Sequence, residues 1–173
     1  MTPPRRKPRQ GYGGIFVRIL VINGPNMNLL GVRQPEIYGK ATYQDLMDLV
    51  KGEAESLGVE VDFFQSNHEG ALVDAIHRAY FEGVEGIVIN PAACTHTSVA
   101  LLDAVKAVGI PTVEVHISDP DSREEFRHIS YIRAACVATI RGHGLPGYCE
   151  ALRLLAGRSP SHTPPEGGTS PTL

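Results

Sequence analysis

Two residues whose side chains could transfer a proton, Glu114 and His116, lie two positions apart in an apolar, β-branched stretch. Residues 111–117 have the composition of a strand, which Asp119 and Pro120 would end. Because alternate side chains of a strand point to the same face, Glu114 and His116 are expected to be neighbours. A carboxylate beside an imidazole can fix its tautomer and stabilise its protonated form. The pair therefore predicts proton-transfer chemistry at the end of a strand.

Two arginines, Arg123 and Arg127, follow this strand and lie four positions apart. Ser122 and Glu125 have the spacing of a capping box, which predicts a short helix with both arginines on one face. Such a pair could bind a carboxylate or two hydroxyl groups of an anionic substrate. The alternative is a set of surface ion pairs with Glu124 and Glu125, which is the default for an exposed helix.

An asparagine-rich loop, NGPNMN, precedes Arg33 and Tyr38. The amide of an asparagine such as Asn26 can donate to a developing oxyanion without adding charge. Tyr38 would become a useful base only if a nearby cation lowered its pKa from about 10, and Arg33 is the nearest candidate. The alternative is a loop of turn-forming residues with a packed tyrosine.

A second polar cluster begins at Asn90 and includes the sequence THTS, which contains His96. Thr97 or Ser98 could cap the helix that follows, where free backbone amides attract anions or hydroxyl groups. The commoner interpretation of such a cluster is a helix cap beside a structural loop histidine. Asp103, on the following helix, has the pattern of a solvated surface charge.

The chain alternates strand and helix patterns. The predicted strands cover residues 15–23, 59–64, 86–90, 111–117 and 136–140. The predicted helices cover residues 43–57, 72–80, 99–108 and 147–155, and the first begins at a capping-box variant of Thr42 and Asp45. This alternation predicts an α/β protein, a flavodoxin-like three-layer sandwich with a five-stranded parallel sheet. Ligands of such folds bind beyond the carboxyl ends of the strands, where the polar clusters would meet.

Composition argues against several classes of protein, among them nucleic-acid-binding, disulfide-rich and membrane-spanning proteins. The 173 residues suffice for one domain with a substantial core, and the net charge of −3 gives no indication of nucleic-acid binding. The three cysteines, Cys94, Cys136 and Cys149, lack the spacing of a disulfide framework or zinc site and fit a reducing, cytoplasmic compartment. The histidine spacing gives no metal-binding pattern, and no apolar run is long enough to cross a membrane.

Composition also predicts the domain limits. Residues 1–15 form a basic extension expected to be disordered, and residues 157–173 form a disordered tail rich in Pro, Ser, Thr and Gly. The catalytic domain is predicted at residues 16–156. We interpret the extension as an extended start or a misplaced start codon, although a transit peptide or a nucleic-acid-binding arm would have a similar composition.

Five stretches, taken together and in order, resemble the type II 3-dehydroquinate dehydratases. They are INGPNMNLLGVRQPEIYG, QSNHEGALVDAIH, IVINPAACTHTSVALLDA, IPTVEVHISDPDSREEFR and GYCEAL. That family has a flavodoxin-like fold, needs no metal or cofactor, and usually assembles as a homododecamer of trimers. The resemblance implies a hydro-lyase that converts 3-dehydroquinate to 3-dehydroshikimate. The reaction belongs to the shikimate pathway of chorismate and aromatic amino acid biosynthesis, or alternatively to quinate catabolism.

The resemblance also implies a role for each candidate residue. Tyr38, held near Arg33, would remove the C2 proton, and Asn26 would stabilise the resulting enolate through a water molecule. His116 would protonate the departing C1 hydroxyl while Glu114 orients its ring. The implied substrate-binding residues are Ile117 and Ser118 for the carboxylate, Asn90, His96 and Arg127 for hydroxyl groups, Arg123 in the same region, and Asp103 from a neighbouring subunit.

Three positions depart from the family pattern. The family usually has glycine at the position of Ala92, often an aromatic residue at Cys94, and leucine at Met27. A methyl group at residue 92 would crowd a tight turn and could shift Asn90.

Two other flavodoxin-like functions fit the sequence less well. A flavin-binding protein would need a phosphate loop after the first strand, where Pro25 lacks an amide donor. A non-catalytic receiver or binding protein of the signalling type would need an acidic cluster there, and asparagines occupy those positions instead.

Overall fold

A computed structural model describes residues 17–32 and 41–158 of the chain. It contains β1 (Arg18–Asn23), β2 (Glu60–Gln65), β3 (Gly86–Asn90), β4 (Thr112–His116) and β5 (Ala138–Arg141). All neighbouring strands are parallel, in the order β2-β1-β3-β4-β5. This is the flavodoxin-like order, and it confirms the predicted α/β class.

Four helices connect and cover these strands: α1 (Tyr43–Leu57), α2 (Glu69–Glu82), α3 (Val99–Val108) and α4 (Pro146–Ala156). The predicted capping box of α1 is confirmed, because Asp45 N–H donates to Thr42 Oγ1 while Thr42 N–H donates to Asp45 Oδ2. Of the two predicted caps for α3, Ser98 is the one observed, and its hydroxyl accepts from the Leu101 amide at 2.9 Å.

The sheet separates two apolar cores. Helices α1 and α4 contact each other on one face, and α2 and α3 contact each other on the opposite face. Val113 and Val115 of β4 belong to the core under α1 and α4. Since side chains alternate along a strand, Glu114 and His116 project to the face of α2 and α3. The sheet therefore places a buried acid and an imidazole where the neighbouring strand β3 carries Ile87 and Ile89.

Several predicted elements have different bounds in the structure. The strand predicted at 136–140 is β5, which begins two residues later because residues Ile132–Ala135 form a 3₁₀ turn that ends at Cys136. The helix predicted at 72–80 is α2, which is longer at both ends. Tyr80, the last residue of the predicted range, is exposed and stacks edge-to-face with Phe81.

No helix within residues 17–32 and 41–158 is both long and apolar enough to cross a membrane. The predicted terminal extension and tail lie almost wholly outside these residues, so the domain limits stay predictions.

Candidate active site

A cleft opens at the carboxyl ends of β1, β3 and β4. The chain leaves β1 toward α1 on one face and leaves β3 toward α3 on the other, so the cleft lies at the switch point of the sheet. The residues that line it are Pro25, Asn26, Met27, Leu29, Leu30, Asn90, Ala92, Ala93, His96, His116, Ile117, Ser118, Pro120, Arg123 and Arg127. Eight of the predicted site residues line this cleft, and Arg123 is one of them.

His116 and Glu114 form a buried pair beneath the cleft. The Nε2 atom of His116 lies 2.8 Å from Glu114 Oε1, as the strand alternation predicted. The Glu114 side chain is fully buried, whereas His116 reaches the cleft surface. Since a carboxylate only accepts, Nε2–H of the imidazole donates, and Nδ1 is the nitrogen available for proton transfer.

The carboxylate of Glu114 is held by two hydroxyl donors and a nearby cation that the sequence analysis missed. Ser130 Oγ donates to Oε1 at 2.5 Å, Thr139 Oγ1 donates to Oε2 at 3.0 Å, and Arg133 Nε lies 3.7 Å from Oε2. Thr139 is the register partner of Glu114 on β5, so knowledge of the strand pairing would have identified it. No local sequence signal identifies Ser130, which lies in an irregular segment.

Burial by itself raises the pKa of Glu114, but its partners outweigh this effect. The hydrogen bond and charge of His116, followed by the hydroxyls of Ser130 and Thr139, hold the pKa of Glu114 below its ordinary value. The glutamate is therefore ionised at neutral pH, and its carboxylate accepts the hydrogen bond of the His116 ring.

His96 has one ring nitrogen fixed by the backbone. Its Nδ1 lies 2.7 Å from the carbonyl oxygen of Ile129, which can only accept, so Nδ1 carries the hydrogen. Burial lowers the pKa of His96, and the nearby charges of Arg127 and His116 lower it further against that hydrogen bond. His96 thus lines the cleft as a neutral ring whose Nε2 can accept a hydrogen bond from a ligand hydroxyl.

Asn90 is oriented by a buried tyrosine that the sequence analysis did not identify. Asn90 Nδ2 donates to the Tyr148 hydroxyl at 2.9 Å, and that hydroxyl donates to Asn23 Oδ1 at 2.6 Å. Asn90 Oδ1 accepts from the Ala92 amide at 3.1 Å. Burial raises the pKa of Tyr148 far above its ordinary value, so Tyr148 acts here as a neutral hydrogen-bonding group.

Backbone geometry explains two features of the loops that meet in the cleft. A Cβ atom on Gly24 would lie 2.4 Å from the Pro91 carbonyl oxygen, so only glycine allows the loops after β1 and β3 to approach this closely. Ala92 has φ +52°, a left-handed conformation that glycine adopts without strain. The predicted crowding at Ala92 is therefore a backbone effect. The turn nevertheless keeps the bond from Ala92 to Asn90.

Asn26, the predicted enolate-stabilising residue, is exposed at the cleft mouth in a left-handed conformation, φ 66°. Its amide N–H donates to Asn67 Oδ1 at 2.8 Å. This bond ties the loop after β1 to the loop after β2 and leaves the Asn26 side chain at the cleft.

The prediction of one short helix bearing Arg123 and Arg127 is wrong. The segment forms two 3₁₀ turns, Pro120–Ser122 and Glu125–Arg127, and the Ser122 hydroxyl donates to the Asp119 carbonyl instead of capping a helix. The physical reason is that the Asp119 side chain caps the first turn and Arg123 then adopts an extended conformation.

Both arginines nevertheless line the cleft. Arg127 Nε lies 2.7 Å from Glu124 Oε2, and Arg123 Nε lies 3.6 Å from the same oxygen. The alternative of surface ion pairs is therefore correct for Glu124. The two arginines also lie at the cleft, where they could bind an anionic ligand.

The structure gives no place in the cleft to Asp103 and does not describe two other predicted site residues. Arg33 and Tyr38 lie outside the part of the chain that the structure describes. Asp103 is exposed on α3 and does not line the cleft. Within residues 17–32 and 41–158 no group of three or more His, Cys, Asp or Glu side chains could hold a metal ion.

Comparison with known proteins identifies relatives across the whole described domain. A family profile described as "Dehydroquinase class II" matches residues 17–156. The 3-dehydroquinate dehydratase of Caldicellulosiruptor bescii is 56% identical over 80% of this chain and 95% of its own length. The 3-dehydroquinate dehydratase 1 of Corynebacterium efficiens is 58% identical over 80% of this chain and 91% of its own length. The crystal structure of the type II dehydroquinase from Butyrivibrio crossotus superposes with a TM-score of 0.81 at 50% identity, covering 82% of this chain and 99% of that chain.

Proposed function

The chain belongs to the class II dehydroquinase family, and from that premise we propose that it is a lyase that eliminates water from 3-dehydroquinate to give 3-dehydroshikimate. The names of its relatives support this substrate. The single observation that carries the proposal is the Glu114–His116 pair, with its 2.8 Å hydrogen bond, at the switch-point cleft. A general acid is needed because hydroxide is a poor leaving group.

The elimination proceeds in two proton transfers. Tyr38, activated by the charge of Arg33, removes the C2 proton next to the ketone, and the electron pair moves onto the carbonyl oxygen to form an enolate. Asn26 stabilises that enolate through a water molecule. The enolate then collapses to expel the C1 hydroxyl, which leaves as water after it takes a proton from His116. Support for the acid comes from the buried carboxylate of Glu114, and support for the base comes from the family resemblance.

The cleft has groups of the right kind for the rest of the substrate. The neutral His96 ring and the oriented Asn90 amide suit hydroxyl groups. Arg127 adds a donor to those hydroxyls, and Arg123 adds positive charge nearby. Ile117 and Ser118, at the end of β4, bind the carboxylate in this proposal.

We extend the proposal to assembly and location. The chain functions as a homododecamer of trimers in which Asp103 completes the site of a neighbouring subunit. The exposure of Asp103 on α3, outside its own cleft, supports this arrangement. A cytoplasmic location is supported by Cys94, Cys136 and Cys149, which are all free thiols. The particle mass from light scattering tests the assembly, and a trimeric or monomeric active species would contradict it.

The reaction is tested by mixing the purified chain with 3-dehydroquinate and following the ultraviolet absorbance of the conjugated product. We expect a rise that a chelator does not abolish. No rise from a folded, assembled sample would contradict the proposed function.

Variants test the residue roles in the same assay. Tyr38→Phe should lose turnover while it still binds substrate, and His116→Ala should be nearly inactive. His77→Ala is the matched control, since His77 is exposed on α2 away from the cleft. Equal losses in both histidine variants would indicate a folding effect and would remove His116 from the mechanism.

A further inference from the structure

Three consecutive residues, Ile129, Ser130 and Tyr131, hydrogen-bond to residues of the site. Their partners are His96, the carboxylate of Glu114 and the backbone of Thr95. The Ile129 carbonyl accepts from His96 Nδ1 at 2.7 Å. The Ser130 hydroxyl donates to Glu114 Oε1 at 2.5 Å. The Tyr131 amide donates to the carbonyl of Thr95, the neighbour of His96, at 3.1 Å. One short irregular segment thus joins the loop after β3 to the carboxylate on β4.

Ser130 differs from Thr139 in the Glu114 oxygen that it contacts. Thr139 donates to Oε2, whereas Ser130 and His116 share Oε1. An oxygen of a carboxylate has two acceptor sites, and Ser130 occupies the site on Oε1 that His116 does not use. The Ser130 hydroxyl therefore fixes the direction in which Oε1 accepts from His116. Rotation of the Glu114 carboxylate would break the bonds to Ser130 and His116 together.

We propose that Ile129–Ser130–Tyr131 is a positioning segment that keeps His96 and the Glu114–His116 pair in register, and that Ser130 is its determining residue. Ser130 hydrogen-bonds Glu114, which in turn holds His116, so Ser130 is a positioning residue for the dehydration reaction. This inference rests on the proposed function for its kinetic test, but its effect on the two imidazole rings is independent of turnover.

Several charged or titratable groups face Glu114 and bear on the test. They are His116 on the same strand, Arg133 from the 3₁₀ turn, and the Cys136 thiol that follows this turn. Burial raises the pKa of Glu114, and its donors, His116 first and then Ser130 and Thr139, bring it below the ordinary value. Loss of the Ser130 hydroxyl therefore raises the pKa of Glu114 and leaves the other groups in place.

The kinetic test compares Ser130→Ala with the wild-type chain. We expect kcat to fall by about 10²-fold with little change in KM, since misplacement of a reacting group has an effect of this size. The acidic limb of the kcat profile should move to higher pH, because Glu114 gains its proton more readily. Ser130→Thr, which restores a hydroxyl, should recover most of kcat. A Ser130→Ala enzyme with wild-type kcat and an unshifted acidic limb would overturn the proposal.

Two matched variants separate positioning from folding. Ser56→Ala removes an exposed hydroxyl that donates to the Gly52 carbonyl on α1, and it should change neither kcat nor the acidic limb. Ser130→Cys provides a weaker donor of similar size, so it keeps the proposal testable if Ser130→Ala does not fold. Its kcat should lie between the wild-type and alanine values, and a wild-type kcat with an unshifted limb would count against the proposal.

A spectroscopic readout is independent of the dehydration reaction. In ¹⁵N spectra of histidine-labelled protein, Ser130→Ala should shift the His116 ring signals and Ser56→Ala should not. If the wild-type chain lacks dehydratase activity but these shifts occur, the proposed function fails and the positioning segment stands. Unchanged His116 signals in Ser130→Ala would overturn the segment whatever the activity.

Discussion

The Nε2 atom of His116 lies 2.8 Å from Oε1 of Glu114, and both side chains project from the same face of β4. The carboxylate is inaccessible to solvent and accepts from two hydroxyls as well as from the imidazole. A buried, ionised partner of this kind sets which ring nitrogen carries hydrogen, so Glu114 determines which nitrogen of His116 is available at the cleft.

Glu114→Gln should therefore lower kcat by roughly 10²-fold, within the range of a general-acid contribution, because the amide keeps the shape but not the charge. KM should change much less. Glu150→Gln is the matched control, since Glu150 pairs with His143 at 2.9 Å on the surface. Steady-state kinetics of both variants provide the measurement. Equal kcat values for the two variants would contradict a special role for the buried pair.

His96→Ala should raise KM by roughly tenfold, the value of one to two hydrogen bonds, with a smaller effect on kcat. In the wild-type enzyme, the lowered pKa of His96 means that the neutral, accepting ring persists below pH 6.5, its ordinary pKa. The His96 contribution to binding should thus be complete above pH 6.5 and be lost only at lower pH. Measurements of KM from pH 5 to 8 test this, with His77→Ala as control. If KM began to rise while the pH was still above 6.5 on the way down from pH 8, the lowered pKa of His96 would be contradicted.

Tyr148→Phe should destabilise the chain by about 1–3 kcal/mol, because it leaves Asn23 Oδ1 and Asn90 Nδ2 without their buried partner. KM should also rise, since the orientation of Asn90 would no longer be fixed. Urea denaturation at one protein concentration measures the stability. Tyr80→Phe is the control, because Tyr80 is 58% exposed and should tolerate the change. Comparable losses in both variants would refute the role of the buried network.

Ala92→Gly should stabilise the chain by up to about 1 kcal/mol. The left-handed φ of +52° costs alanine about 1–2 kcal/mol, which exceeds the entropic cost of glycine. Ala93→Gly, at the next position and without a positive φ, should instead destabilise by about 0.5–1 kcal/mol. Thermal unfolding of both variants gives the sign. A destabilised Ala92→Gly would mean that the packing of the Ala92 methyl group outweighs the backbone strain.

Local physical chemistry in the sequence was enough to predict the fold class and the Glu114–His116 pair. Strand alternation, helix caps and turn residues all act within a few positions, so each can be recognised without knowing the tertiary structure. The same local rules failed at Ser122, because Asp119 and Pro120 offered a competing cap that ended the helix before it formed.

Only the tertiary structure could show what supports the site. Ser130 and Thr139 reach Glu114 across 16 and 25 positions, and Tyr148 reaches Asn23 across 125. Contacts of this range depend on strand register and on the path of irregular segments, which the pattern of a single segment does not encode. The sequence therefore determined which groups could do the chemistry, and the packing of distant segments decided how those groups are held.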